Sequence, residues 1–384
     1  MDDITAPKIF LGEFDNFKNI SRLDVFRILL EKSDLARNIS QGAYVAIKIH
    51  FGELGNLAFI KPQYVRVLVE FLKELGAKPF VTDTNCLNGT WRLNAIDHYN
   101  TAVKNGFSSE IIGAPIIIAD GLLGNNCKWV SYKNMSIEDF AIGKALYDAD
   151  FIVYLSHVKG HQIGGFAGAL KNLGVGSAAK IGKMDIHYRM SPTIAPHCSG
   201  CNACIEACNF GAITCNDSRY KINSQLCTGC CSCMEACKNN NIEIYQLCNW
   251  KEVQTRYVEY AAAMSDLKPN GLYFVNFMEN ISRICDCWGF SNDFFIKDIG
   301  IASGQDPVAL DHLCFDEINT AGRLQCTDIK KSDESVFKQL YPNIDPFYQL
   351  KYAEKLRIGT LEYIRVSMEG EKKIEAKTVS TINC

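Results

Sequence analysis

The sequence predicts an α/β chain: a mostly parallel sheet with helices on both faces, interrupted by a short cysteine-dense segment. Three observations predict it. Apolar runs of strand length alternate with stretches of helical spacing through the first half of the chain. The alternation resumes after residue 248. Of 18 Cys in 384 residues, most crowd between Cys198 and Cys248. A β-α alternation favours parallel strands, because each crossover helix must lie on a face of the sheet.

In chain order, Arg22–Arg37 has helical spacing and precedes the compact apolar run Ala43–His50, which reads as a buried strand. Lys61–Leu75 predicts a helix, with Pro62 in its first turn and Gly76 beyond its end. Lys78–Asp83, Pro115–Asp120 and Phe151–His157 predict three more strands, with helices expected over Asn94–Asn105 and Asp139–Tyr147. Beyond the cysteines, Leu272–Met278 predicts a strand, and Pro307–Asn319 and Phe347–Arg357 predict helices. The economical organisation is one α/β domain over 1–190 and 248–384, with an insert at 191–247. Two independent flanking domains are the alternative.

Composition narrows the function. Hydrophobic residues make up 47%, charged residues 22%, and the net charge is −3, an ordinary globular balance with no excess for coating nucleic acid or a membrane surface. Met1–Ile20 carries four acidic residues and no continuous apolar stretch, so no secretory signal is expected. A cytoplasmic location follows as the expectation, and there clustered cysteines favour metals over disulfides.

Two runs then decide the chemistry. Cys198, Cys201, Cys204 and Cys208 read C-x2-C-x2-C-x3-C, and Cys227, Cys230, Cys233 and Cys237 repeat the pattern. This is the ligand run of bacterial two-cluster ferredoxins, in which three thiolates wrap one cubane and the fourth reaches the other. The expectation is one 4Fe–4S cluster on Cys198, Cys201, Cys204 and Cys237, and a second on Cys208, Cys227, Cys230 and Cys233. Zinc knuckles share the C-x2-C pair but have no use for a third C-x2-C step. Asn209 and Lys238 follow the fourth cysteines where Pro is usual, a change that bears on potential rather than on binding.

Such clusters carry electrons and do no substrate chemistry alone, so a second site is sought where parallel strands end. His50, Asp83, Asp120 and His157 each close an apolar strand run, and His161 follows. His50, Asp83, His157, His161 and Lys171 are therefore candidate catalytic residues, each also readable as a hydrogen-bonded loop polar group. Gly164, Gly165, Gly168 and Asn172 are candidates for cofactor binding, because glycines at a helix start free amides for an anion. A tight turn with close helix packing is the equal alternative. Neither a P-loop nor a dinucleotide fingerprint is present. Cys285-Asp286-Cys287 is a possible third metal or cluster site, or a strained, easily reduced disulfide. Asp298, Asp306 and Asp311 stand nearby, Asp306 as an expected N-cap. The remaining cysteines, Cys86 among them, are ordinary thiols by default.

Taken together, Lys48 to Glu53, Thr82 to Asn85, Asn94 to His98, Gly113 to Gly121, Lys159 to His161, Gly168 to Gly174, the two cysteine runs, Cys285 to Cys287 and Asp306 to Ala309 resemble the uncharacterised iron–sulfur centre protein family. This is a domain-of-unknown-function group with an internal ferredoxin module, and the resemblance spans roughly 5–325. Cys86 and Gln162 depart from it, Thr and Glu being expected there. The resemblance implies two 4Fe–4S clusters and an α/β host with an unassigned pocket. At the level of fold alone, the sheet and glycine loop also resemble lactate-racemase-type proteins, which handle a nickel cofactor. The expected function is an oxygen-sensitive oxidoreductase whose clusters deliver electrons to the α/β site, with a redox partner protein, a possible small-molecule substrate, and neither nucleic acid nor membrane. The alternative is a non-catalytic electron carrier or metallocofactor-handling protein.

Overall fold

The computed structural model describes residues 6–87, 91–187, 193–208, 211–217, 219–223, 226–227, 233, 236–239, 241–243, 249–290, 293–324, 328–330, 332–368 and 374–379. Nine strands form the central sheet: β1 (Lys8–Glu13), β2 (Tyr44–Lys48), β3 (Lys78–Asp83), β4 (Ile116–Ile118), β5 (Phe151–His157), β6 (Leu272–Met278), β7 (Gly300–Gly304), β8 (Tyr363–Met368) and β9 (Ile374–Val379). Their spatial order is β9-β8-β1-β7-β6-β5-β2-β3-β4. Five neighbouring pairs are parallel, and the antiparallel exceptions all involve β7 or β9. The sheet is mostly parallel, and strands from both sides of the cysteine-dense segment pair directly within it.

Side chains alternate across the sheet as strand geometry requires. Ala46, Ile152, Tyr154 and Phe274 point into one core, Val45, Ile47, Val153, Val275 and Phe277 into the other. Helices α1 (Arg22–Lys32) and α2 (Pro62–Glu74) seal the second core, and α2 starts at Pro62 as the sequence predicts. Helix α3 (Ala95–Lys104) is capped by Asn94, whose side chain accepts from Ile96 and Asp97 amides. Helices α4 (Ala169–Ser177), α5 (Lys180–His187), α6 (Trp250–Leu267), α7 (Pro307–Thr320) and α8 (Tyr348–Lys355) cover the first core. Among the described residues, no helix is long and apolar enough to cross a membrane.

Two expectations need correction. Asp139–Tyr147 is not one helix: Asp139–Gly143 pairs as a strand with Cys127–Ser131, and only Lys144–Asp148 is helical. Phe140, Ala141 and Ile142 are all fully buried there, so a consecutive apolar triplet finds cover on both faces of a hairpin. The helix expected over Arg22–Arg37 stops at Lys32, and a short 3-10 turn at Leu35–Asn38 follows.

Helices α4 and α6 touch backbone to backbone. A Cβ at position 174 would sit 2.0 Å from the Tyr257 carbonyl oxygen. In an open helix Gly→Ala is stabilising by about 1 kcal/mol. Here the sign should reverse: Gly174→Ala is expected to lose about 1–3 kcal/mol by overpacking, read as a lower thermal midpoint.

The cysteine-dense segment builds its own small core from Cys204, Ile213, Cys233, Cys237 and Ile242, with Ile194, Cys208, Tyr220 and Ile222 against it. Its strands pair crosswise: Thr193–Ile194 with Ile242–Glu243, and Ile213–Asn216 with Arg219–Ile222. One offset relates Cys204 to Cys233, Cys208 to Cys237, and Ile213 to Ile242. The segment is thus an internal duplication in which the outer strands pair with each other and the inner strands likewise.

Candidate functional site

The parallel strands β2 to β6 end on one edge of the sheet. Chain order runs outward from β2 to β3 and β4 on one side, while β5 and β6 stand on the other. The crevice at such a reversal is where open α/β sheets hold ligands, since the flanking loops diverge. A cavity of about 470 Å³ lies there. It is lined by His50, Asp83, His157, His161 and Lys171, by Gly168 and Asn172, and by Cys285 and Cys287. Of the predicted site residues outside the cysteine runs, only Gly164 and Gly165 stand off from it.

Several lining residues are committed to the walls. Asp83 pairs with Lys48 at 2.8 Å, both nearly fully buried. Burial would raise its carboxyl, but the Lys48 ammonium and the His98 ring hold it well below the usual range. Asn172 accepts from Lys48 at 3.0 Å and donates to Leu155 oxygen at 3.0 Å. The His157 ring faces the Asp286 carboxylate on Nδ1 at 3.0 Å and the Glu279 carbonyl on Nε2 at 3.0 Å. Lys159 Nζ meets the same carboxylate at 2.6 Å. His157 and Lys159 therefore anchor the Cys285–Cys287 loop from below.

Other groups look inward. His161 Nδ1 accepts the Ile163 and Gly164 amides at 3.2 and 3.0 Å, which leaves the proton on Nε2. Burial first, then Lys171, keeps this ring neutral. Gly164 ends the turn and Gly165 opens the second strand of the Lys159–His161/Gly165–Ala167 hairpin that sets this ring. Lys171 makes no hydrogen bond or ion pair among the described residues. His187 also lines the cavity, and burial lowers it to about 4.

The helix start at Gly168 does not offer its amides to a ligand. Asp311 from α7 accepts the Ala169 amide at 2.7 Å and the Leu170 amide at 2.9 Å, and Asn276 donates to the same carboxylate at 2.7 Å. The anion expected at this glycine loop is the protein's own, and a Cβ at 168 would collide with it at 2.2 Å. Asp306 caps α7 as expected, accepting from Val308 and Ala309, and Asp298 binds Arg22 and the Asn280 amide away from the cavity.

Burial raises Asp311 to about 6 despite those donors. A raised folded-state value favours the neutral form in the fold. Its stabilising contribution is complete below about pH 4 and declines as pH rises through about 6. Asp311→Asn should therefore lose ground to the native chain as pH is lowered from 8 to 5, by about 1.4 kcal/mol. Urea unfolding at the two pH values checks it.

The sulfur group is larger than the sequence predicts. Cys285 and Cys287 Sγ lie 3.2 Å apart, and His50 Nε2 is 3.3 Å from Cys287 Sγ. Cys86, taken as an ordinary thiol, joins them: ligand atoms of His50, Cys86 and Cys287 lie within 4.8 Å of one another and could hold a metal ion. Hydrogen bonds from the Cys285 and Cys86 thiols hold Cys287 well below its ordinary value, and those two are correspondingly raised. Arg92, fully buried, contacts His50 at 3.0 Å and Glu53 at 3.2 Å. Nothing in the local sequence around Cys86 or Arg92 signals this convergence; it is a product of β3 and β6 ending on the same edge.

In the duplicated segment, Cys204, Cys233 and Cys237 are buried, Cys198, Cys208 and Cys227 half-buried and Cys201 exposed. Cys230 lies outside the described residues. Burial raises Cys204, with Cys198 and Cys201 adding to it across the loop. Cys208 Sγ accepts the Ala212 amide at 3.3 Å, and Cys237 Sγ accepts the Asn241 amide at 3.2 Å.

A family profile described as Domain of unknown function (DUF362) matches residues 45–316. No curated protein matches the chain. Among solved structures, the chain is similar to the lactate racemase apoprotein from Thermoanaerobacterium thermosaccharolyticum at 13% identity and a TM-score of 0.42, over 82% of this chain and 58% of that one. It is also similar to a Thermotoga maritima protein at 10% identity and a TM-score of 0.36, over 77% of this chain and 57% of that one. The chain thus spans under two thirds of the length of either.

Proposed function

The chain belongs to the DUF362 family, and from that premise we propose that it is an iron–sulfur redox protein, an oxygen-sensitive oxidoreductase whose chemistry takes place in the α/β cavity. In this reading the 191–247 segment is a ferredoxin-like insert in an α/β domain of 1–190 and 248–384. Cys198, Cys201, Cys204 and Cys237 would hold one 4Fe–4S cluster, and Cys208, Cys227, Cys230 and Cys233 the other. Bound clusters of this kind supply single electrons.

The observation that carries the reading is the matched sulfur environment of the duplicated segment. The fourth cysteine of each run accepts an amide from the residue four positions on, Ala212 for Cys208 and Asn241 for Cys237. Amide donors on sulfur are what a thiolate ligand needs to carry its charge in a small core, and they tune potential. The donor set is soft, which fits iron–sulfur ligation.

In the cavity, this chain's residues would bind and orient a small-molecule substrate. Lys171 and the His161 Nε2–H offer donors to an anionic group. Leu155, Ile163 and Val175 exclude water beside them. A redox partner protein would exchange electrons with the insert.

Iron and acid-labile sulfide analysis of anaerobically purified protein tests the proposal. About eight of each per chain, with a reducible paramagnetic signal, is the expected result. Stoichiometric zinc without labile sulfide would overturn it. The close grouping of His50, Cys86 and Cys287 favours one second reading, a protein that holds or hands on a metal ion in the cavity. Zinc or nickel beyond the cluster iron, lost on replacing those three residues, would mark that role.

A further inference from the structure

We propose that Cys287 and Cys86 form a two-electron thiol–disulfide centre facing the cavity, with an anionic organic disulfide as its oxidant. The inference rests on the cavity being a redox site, but not on the clusters.

Cys86 arrives from the end of β3, and Cys285 and Cys287 from the loop after β6. Cys86, Cys285 and Cys287 all line the cavity. The Cys287 sulfur lies within 4.8 Å of Cys86 Sγ and 3.2 Å from Cys285 Sγ. Sulfurs this near one another can close to the roughly 2.05 Å of an S–S bond with a small movement. A bridge within Cys285-Asp286-Cys287 would close a small strained ring, so Cys86 is the partner and Cys285 the thiol that holds the Cys287 sulfur in place.

The surroundings suit a sulfur anion better than a metal cation. The Gly52 amide donates to His50 Nδ1 at 3.1 Å, which leaves the ring proton on Nε2, 3.3 Å from Cys287 Sγ. A divalent cation on Nε2 would have to displace that proton and sit against the Arg92 guanidinium, 3.0 Å from the ring, fully buried and paired with Glu53. The same guanidinium stabilises a thiolate. Lys171, without a partner among the described residues, supplies the charge that would draw an anionic disulfide into this cavity. The helix-start amides that would suit a phosphate are taken by Asp311.

The step balances without another reactant. The Cys287 thiolate attacks one sulfur of the disulfide, the S–S bond breaks, and one thiolate leaves. The Cys86 thiol then gives up its proton to that thiolate and attacks Cys287 sulfur, which expels the second thiolate. One organic disulfide is reduced to a thiol and a thiolate, and the Cys86–Cys287 pair is oxidised by two electrons.

The test uses the full chain, anaerobically purified, with dithiodiglycolate as the probe, followed by differential alkylation and peptide mass spectrometry. A Cys86–Cys287 linked peptide and two thioglycolates released per chain are expected. In C86S, one thioglycolate should stay on Cys287 as a mixed disulfide. K171Q should slow linkage at least about tenfold with dithiodiglycolate, but not with the neutral hydroxyethyl disulfide. The inference is overturned if Cys287 stays alkylatable, if the bridge joins Cys285 to Cys287, or if a chelatable metal shields all three sulfurs. Iron measured on the same sample reports the fate of the cluster proposal separately.

Discussion

Asp286→Ala should cost about 3–5 kcal/mol of folding stability, because it strands two buried groups that the carboxylate satisfies together. Asp286 is fully buried and accepts from Lys159 at 2.6 Å and from His157 at 3.0 Å. Its own carbonyl holds the Glu53 amide at 3.1 Å, so the side chain fixes a loop that bridges two strand ends. Without the carboxylate, the Lys159 ammonium, 7% exposed, faces no other anion at salt-bridge distance among the described residues. Urea unfolding under reducing conditions measures the loss. The diagnostic is the rescue: Lys159→Met in the Asp286→Ala background should recover a large part, since removing both charges avoids the unpaired one.

The pH dependence of this pair runs opposite to that of Asp311. Burial would raise Asp286, but the neighbouring His157 ring and Lys159 ammonium outweigh it and hold the carboxyl far below the usual range. A depressed folded value gives stability that is complete above the unfolded value of about 4 and is lost only as pH falls beneath it. Between pH 8 and 5, then, the Asp286→Ala penalty should stay flat while the Asp311→Asn difference changes. A penalty that varies over that range would mean that Asp286 is not held ionised by its neighbours.

The sheet was legible because its strands are apolar runs bounded by turn residues: Lys78–Asp83, Phe151–His157 and Leu272–Met278 occupy the spans their residues predict. Strand β7 was not, because Gly300-Ile-Ala-Ser-Gly304 has too few large apolar residues and acquires its place only by pairing with β1 and β6. The strand-end polar residues were legible as candidates, yet their division of labour was not. His157 and Asp83 look equivalent to His161 in sequence, and only packing shows the first two tied into buried ion pairs. The grouping of Cys86 with Cys287 is not legible for a related reason: a lone cysteine carries no spacing, whereas C-x-C does. The glycine loop reads equally as free amides for a ligand or as a tight turn with close helix packing, and Asp311, more than a hundred residues away, takes those amides.

On the proposed cluster assignment, Cys237→Ala and Cys204→Ala should each halve the iron, from about eight to about four per chain, and should remove the same half. The reason lies in the crosswise pairing of the duplicated segment. Its outer strands, Thr193–Ile194 and Ile242–Glu243, bring the end of the second repeat beside the start of the first. Cys237, buried just before the last strand, is thereby returned to the neighbourhood of the first run, and Cys208 is carried toward the second by the inner pair. If each fourth cysteine completes the other run's cluster, the double variant Cys204→Ala/Cys237→Ala should retain as much iron as either single variant. Cys204→Ala/Cys208→Ala, taken from one run, should lose nearly all of it. Iron analysis and the spectrum of the reduced protein read both outcomes. The reverse pattern, additive loss for Cys204 with Cys237 and none beyond the single variants for Cys204 with Cys208, would mean that each run serves its own metal. A zinc-knuckle segment would behave that way, because its four ligands close locally and have no use for the crossing.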